Sequence, residues 1–491
     1  MNAPDNLRVS KETLPPTATV GSRGLTLACR FAAILVVAMS ALHDVRLLWQ
    51  FGVPTGVDGY YYVVQIQSLQ ATGHLYFRTL TPLVFYAAWG LRAITGDPVT
   101  ALKVLSVLLD ATLTGGIFAV VFVLTSSEWA ALIGVTVTAV STSRLYFVAD
   151  FTKNLACLAF LCWAAVFLIK GFRSRCSYPL FVGLLFAVAA ALSHKSAILI
   201  VGVSLGFFII SASSLRRIWV MPTIAASIWT LPALLRFDAE SPLSGIFVGT
   251  MPTASWWSAE RLALLLISWT IMARLKAVRD AAGEFAAIVL GGIALFALAV
   301  TVNPLLNQNS DLLGGRISFT MFLQVAVLLP GLFLAMYSEQ DFGAKMVGIP
   351  LLSALLLLSA VESQSILGIR QDYLARRTEM VSSLTRLRDR LAPRPTLVIA
   401  PHGDEFLVTA VLHVAAQQHW SPGSGQSLYW VLEGVGSGDK TPEMLVLAHW
   451  HGLSTVIVSS EDLTLRWSRL DDQSRSQLLT ANPELLVAGY N

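Results

Sequence analysis

The sequence predicts an all-α polytopic membrane bundle of about eleven transmembrane helices, with external juxtamembrane helices and a small C-terminal α/β soluble domain. Three observations lead there. Hydrophobic residues make up 55% of the 491 residues and charged residues 13%, against about 25% charged in soluble proteins. Apolar runs near the ~20 residues that cross a bilayer as helix recur along the chain. After Val361 the composition turns abruptly polar.

Hydropathy places spans near 25–43, 99–124, 129–148, 153–169, 178–192, 196–213, 217–235, 260–275, 285–303, 317–337 and 343–362. The shorter apolar piece Leu80 to Ile94 contains Pro82 and Arg92 and reads as an interfacial or re-entrant helix. Residues 1–24 form a polar cytoplasmic tail with Pro15-Pro16. The run from Leu25 to Leu42 lacks a small-residue cleavage site and is expected to stay as the first membrane helix.

Basic residues set the orientation. With a cytoplasmic N-terminus, loops 170–177, 214–217 and 273–284 face inside and hold eight cations in 24 residues. The 44–97 segment, placed outside, holds Arg46, Arg78 and Arg92 in 54 residues. Counting 80–94 as a crossing would turn the basic loops outward. This topology puts Asp44, Asp58, Asp150, His194, Lys195, Asp238, Glu240, Asp311 and Arg316 at the outer surface of the cytoplasmic membrane. Asp44 lies beside Arg46 and is expected to pair with it. Asp110 is the exception, a carboxylate inside the second span that must pair or face a bundle interior.

The net charge of +4 gives no reason to expect nucleic acid as a partner. Cys29, Cys157 and Cys162 fall inside apolar spans and Cys176 in a basic loop, so no disulfide framework is indicated. Residues 363–392, rich in Arg, Asp and Glu at helical spacing, read as a solvated helical connector. Residues 393–491 read as a soluble α/β domain on the outer side. Its strands are expected at Thr396–Ala400, Ser427–Leu432, Thr455–Ser459 and Glu484–Ala488, with helices near 404–418, 442–450 and 464–479. His402-Gly403-Asp404-Glu405 and His449-Trp450-His451 lack the spacing of a zinc site.

The chemistry gathers in the external segment. Val57-Asp58-Gly59-Tyr60-Tyr61-Tyr62 sets a carboxylate and clustered tyrosines just beyond the first span, where a base would face a lipid-borne substrate. The tyrosines also suit an aromatic belt. A second carboxylate follows in Asp150-Phe151-Thr152-Lys153-Asn154, His194-Lys195 marks an external turn, and Arg316 opens a late span after Gly314-Gly315.

This ordered set resembles the GT-C superfamily of integral-membrane glycosyltransferases, which includes protein mannosyltransferases, aminoarabinose lipid A transferases and oligosaccharyltransferases. The pattern covers most of residues 25–340: one crossing, a long external segment opening on the Asp58 motif, an interfacial stretch ending Ile94-Thr95-Gly96, Asp150, then Arg316. The resemblance implies inverting transfer of a sugar from a polyprenyl-phosphate carrier to a glycan, lipid or protein acceptor outside the cytoplasmic membrane. It implies Asp58 as base, Asp150 as the group that orients acceptor or base, and Arg316 with Lys195 on the lipid phosphate. Tyr60, Tyr61, Lys153 and His194 complete the expected substrate-binding set.

Two departures stand out. Protein mannosyltransferases carry two adjacent acids where Asp58 is followed by Gly59, and the oligosaccharyltransferase Trp-Trp-Asp is replaced by Trp256-Trp257-Ser258. No cofactor and no metal are expected, although two external carboxylates could hold a divalent cation, as in oligosaccharyltransferases. The polar 303–316 loop is expected to close over substrate. The alternative is a secondary transporter or lipid flippase, which would show inverted repeats and ionisable groups at membrane depth.

Overall fold

A computed structural model describes residues 20–197 apart from 57, 78, 195 and 196, parts of a helical stretch within 371–385, and the elements at 396–400, 405–411, 429–433, 454–458 and 486–488. The spans expected beyond residue 197, the 303–316 loop, Lys195 and Arg316 lie outside the described residues.

Among the described residues, eight helices precede residue 198: α1 (Val20–Leu48), α2 (Gly59–Thr72), α3 (Leu83–Thr95), α4 (Pro98–Thr125), α5 (Glu128–Ala139), α6 (Thr142–Ala149), α7 (Thr152–Ser174) and α8 (Ser177–Ser193). Among the described residues, three stretches, Thr26–Leu48, Pro98–Thr125 and Thr152–Gly171, are long and apolar enough to cross a membrane as single helices. The chain is a membrane protein. At 13 residues, α3 reaches about 20 Å, short of the ~30 Å hydrocarbon core.

Helix α4 is the central column. Its Leu109, Leu113, Ile117, Val121 and Leu124 are buried against neighbours that include Leu155, Leu158 and Cys162 of α7 and Ala130 and Ala131 of α5. A methyl at Gly116 would stand 2.9 Å from Cys162 Cβ, so glycine there lets α4 and α7 close. On α1 the residues Leu27, Phe31, Ile34, Met39 and Leu42 are exposed among the described residues, the apolar stripe a lipid-facing helix presents. The start of α4 is fixed locally. Pro98 follows Asp97, whose carboxylate accepts from Thr100 N at 2.7 Å. Asp97→Ala should cost about 1 kcal/mol, read as a lower thermal midpoint in detergent.

The run 129–148, expected as a span, consists of α5 and α6, which are together apolar enough to cross and meet at a 59° bend. Thr136 and Thr138 hydroxyls turn back onto the carbonyls of Leu132 and Gly134, and Ser141 then caps a new helix by accepting from Arg144 N. Helix α1 also runs past residue 43 to Leu48, which carries Asp44 inside the bundle with 0% exposure. Its partner is Arg144, not Arg46, because a fully buried carboxylate needs a cation that is buried with it.

In the C-terminal part, β1 (Thr396–Ala400), β2 (Tyr429–Glu433), β3 (Ser454–Val458) and β4 (Leu486–Ala488) form a parallel sheet in the order β2-β1-β3-β4. Helix α9 (Glu405–Val411) follows β1. The four strands overlap the segments read as strand-like in the sequence, which are short, mostly continuous apolar runs.

Candidate active site

The ends of α1, α6 and α8 and the starts of α2, α4 and α7 share one end of the bundle, and the 49–58 loop lies across it. Three contacts from different elements hold that loop. Lys103 Nζ donates to Phe51 O at 2.6 Å, Thr55 Oγ1 donates to Ala149 O at 3.1 Å, and Arg377 Nη1 donates to Gly56 O at 2.9 Å. Gly56 lies hard against the α6–α7 junction. A Cβ there would meet Asp150 Cα at 2.7 Å and Asp150 Oδ1 at 2.9 Å. Only glycine allows that approach, and through it the loop that leads to Asp58 touches the residue that carries the second carboxylate.

Asp58 stands at the N-terminus of α2, partly exposed, and its side chain does not cap the helix. The helix dipole favours a negative charge at this position. Asp150, 7% exposed, ends α6 with its N–H on Tyr146 O at 2.7 Å. Both carboxylates act electrostatically on Tyr62. That phenol is buried, and its hydroxyl accepts from Lys153 N at 3.3 Å. Burial first, then the charges of Asp58 and Asp150, holds Tyr62 well above the usual tyrosine pKa. It remains a neutral phenol across the physiological range.

Lys153 Nζ donates to Thr81 Oγ1 at 2.6 Å and lies 5.1 Å above the Phe85 ring. The first turn of α7 thus sets an ammonium against Thr81 and Phe85, three residues after Asp150. Asn154 Nδ2 and His194 Nδ1 are 3.3 Å apart, which brings the end of α8 to the same place.

Tyr61 is half-buried in an aromatic group with Phe85 at 5.6 Å, Phe77 at 6.2 Å and Phe406 of α9 at 5.2 Å between ring centroids. Burial, with a smaller contribution from Asp58, raises its pKa. Tyr60 points away from this group, buried with the Arg377 guanidinium 5.8 Å from its ring. The structure thus brings Asp58, Asp150, Lys153, Tyr61 and His194 to one end of the bundle and sets Tyr60 under the connector.

Sequence reasoning missed two arginines. Arg144 is 1% exposed and bridges α1 and α4 from α6: its Nη1 donates to Asp44 Oδ1 and Oδ2 at 3.0 and 2.9 Å and to Asp110 Oδ2 at 2.7 Å. Ser40 Oγ adds a bond to Asp110 at 3.2 Å. The signal was legible, since a guanidinium inside a predicted span needs the carboxylate that Asp110 supplies. Arg377 carried no such signal in a connector full of charges.

Residues 79–235 match the family model described as dolichyl-phosphate-mannose-protein mannosyltransferase. The match includes Asp150, Lys153 and His194; Asp58 precedes it. No curated protein sequence is significantly similar to the chain. Among solved structures, it is similar to the archaeal oligosaccharyltransferase AglB from Archaeoglobus fulgidus in complex with an inhibitory peptide and a dolichol-phosphate. That similarity has a TM-score of 0.48 and 11% identity and covers 78% of this chain and 64% of that one. The Archaeoglobus fulgidus oligosaccharyltransferase in complex with Zn and sulfate aligns with a TM-score of 0.42 and 12% identity, over 77% of this chain and 61% of that one. The chain therefore spans less than two thirds of the length of either structure. The family match covers 157 of the 491 residues, and over that stretch, which holds α3 to α8, the chain is similar to the mannosyltransferase family.

Proposed function

We propose that this protein transfers a sugar from a polyprenyl-phosphate carrier to an acceptor at the outer face of the cytoplasmic membrane, with inversion at the anomeric carbon. The observation that supports the reading is the approach of the Gly56–Gly59 turn, which bears Asp58, to Asp150, with the Tyr62 hydroxyl on Lys153 N beside it. Asp58, exposed in part at a helix start, accepts the proton of the acceptor hydroxyl as that oxygen attacks the anomeric carbon. The bond from that carbon to the carrier phosphate breaks, and the phosphate leaves with the electron pair. A leaving phosphate needs a cation more than a proton donor. Lys153 supplies one; Lys195 and Arg316 are proposed to supply the others. Asp150, mostly buried and held by the α6–α7 junction, orients acceptor or base, and the half-exposed Tyr61 packs against the sugar face.

In the same reading 25–362 is the transmembrane module with its 44–97 catalytic segment outside, and 363–392 connects it to an external α/β unit at 393–491. The four parallel strands support that unit. The acceptor is a glycan, lipid or protein surface, and membrane lipid surrounds the carrier.

The test is transfer by the purified chain in liposomes, offered a panel of polyprenyl-monophosphate sugars and sugar acceptors. The expected product carries the opposite anomeric configuration to the donor, read from its anomeric proton coupling, and forms equally well with EDTA present. A product of retained configuration would overturn the single-displacement mechanism. Loss of transfer in EDTA, restored by a divalent cation, would overturn the metal-free one.

A further inference from the structure

The connector reaches the site from the far end of the sequence. Residues Leu374, Met380 and Leu384 of the connector and Leu407, Val408 and Ala410 of α9 bury one face of α2 with Val53, Tyr60, Val63 and Val64. Gln67 Nε2 donates to Ala410 O at 3.3 Å, and Phe406 sits edge-on to Tyr61. Within this contact Arg377 is 4% exposed, and its Nη1 meets Gly56 O at 2.9 Å. The same carbonyl accepts from Gly59 N at 3.1 Å, closing the turn on which Asp58 sits. Both lone pairs of the Gly56 carbonyl are therefore occupied, one by the turn and one by a charged donor. A charge-assisted bond is about twice as strong as a neutral one.

We propose that Arg377 is a positioning residue for sugar transfer: it pins the Gly56–Gly59 turn from outside, fixing Asp58 relative to Asp150. The geometry makes this specific. Gly56 has no room to move toward Asp150, as the 2.9 Å approach of a methyl to its carboxylate shows. The Arg377 bond to its carbonyl holds it at that approach. Loss of the guanidinium frees the turn to drift outward, and misplacement by about 1 Å costs on the order of 10²-fold in rate. The connector and α9 thereby acquire a role at the site without touching substrate. The inference rests on the reading of Asp58 as base.

The experiment uses full-length protein in liposomes with one accepted polyprenyl-phosphate sugar, comparing wild type, Arg377→Gln, Arg377→Lys and Asp58→Asn. Arg377→Gln is expected to lower kcat by about 10–100-fold while the donor KM stays within about threefold, because the phosphate-holding cations are elsewhere. Arg377→Lys keeps charge and stem but loses the planar fork, and is expected to fall between the two. If Arg377→Gln does not accumulate, Arg377→Lys carries the comparison. Wild-type kcat in the variant tested overturns the inference, as does a loss confined to donor KM. Asp58→Asn separates the two claims: an active Asp58→Asn protein defeats the base assignment. An inactive one beside a fully active Arg377→Gln defeats the inference alone.

Discussion

Arg144→Met is expected to destabilise the protein by about 3–5 kcal/mol, the cost of removing one partner from a buried ion pair. The guanidinium is 1% exposed and the carboxylates of Asp44 and Asp110 are fully buried, so no water replaces the lost donors. The cluster joins three helices, which makes the loss a tertiary one: α1, α4 and α6 would be held together by apolar packing around two unneutralised acids. The effect belongs to the imbalance rather than to the missing bonds. Replacing all three as Asp44→Asn, Asp110→Asn and Arg144→Met should therefore recover most of the stability. Thermal unfolding in detergent, followed by intrinsic fluorescence, checks both variants. An unchanged midpoint for Arg144→Met, or a triple variant worse than the single, would contradict the account.

Asp58→Asn is expected to lower kcat by about 10²–10⁴-fold, the usual contribution of a positioned general base. Asparagine keeps the shape at the start of α2 and removes the proton acceptor. Stability should hardly change, because Asp58 is partly exposed and its side chain does not cap α2. Donor affinity should persist, since the carrier phosphate is met by cations. Initial rates at saturating donor, normalised to folded protein, give the value. Arg144→Met is thus expected to lower stability, and Asp58→Asn to lower the rate at unchanged stability.

Hydropathy and charge position made much of this fold legible. The spans at 25–43, 99–124, 153–169 and 178–192 each contain the apolar centre of a helix in the structure, and Leu80 to Ile94 is the short helix that Pro82 and its length imply. The sequence set Asp58 and Asp150 on the same side of the membrane, and the structure brings both to one end of the bundle, where Gly56 meets Asp150. The pairing of Asp44 was not legible, because hydropathy weighs a residue by its neighbours in sequence, whereas its partner is 100 positions away on α6. The bend between α5 and α6 escaped for a related reason. Threonine and serine count as mildly polar in a span, yet their hydroxyls compete for backbone carbonyls and end the helix. Arg377 depends on a contact across 321 positions, which no local pattern records.

The most direct test of the central claim sets Asp58→Asn beside Asp44→Asn in liposomes, scoring sugar transfer and lipid or solute translocation together. The account predicts that Asp58→Asn abolishes transfer at wild-type stability. Asp44→Asn should lower stability while its folded fraction transfers at near the wild-type rate. Transfer intact in Asp58→Asn, with translocation lost in Asp44→Asn, would contradict it and move the chemistry from the membrane edge to the buried cluster.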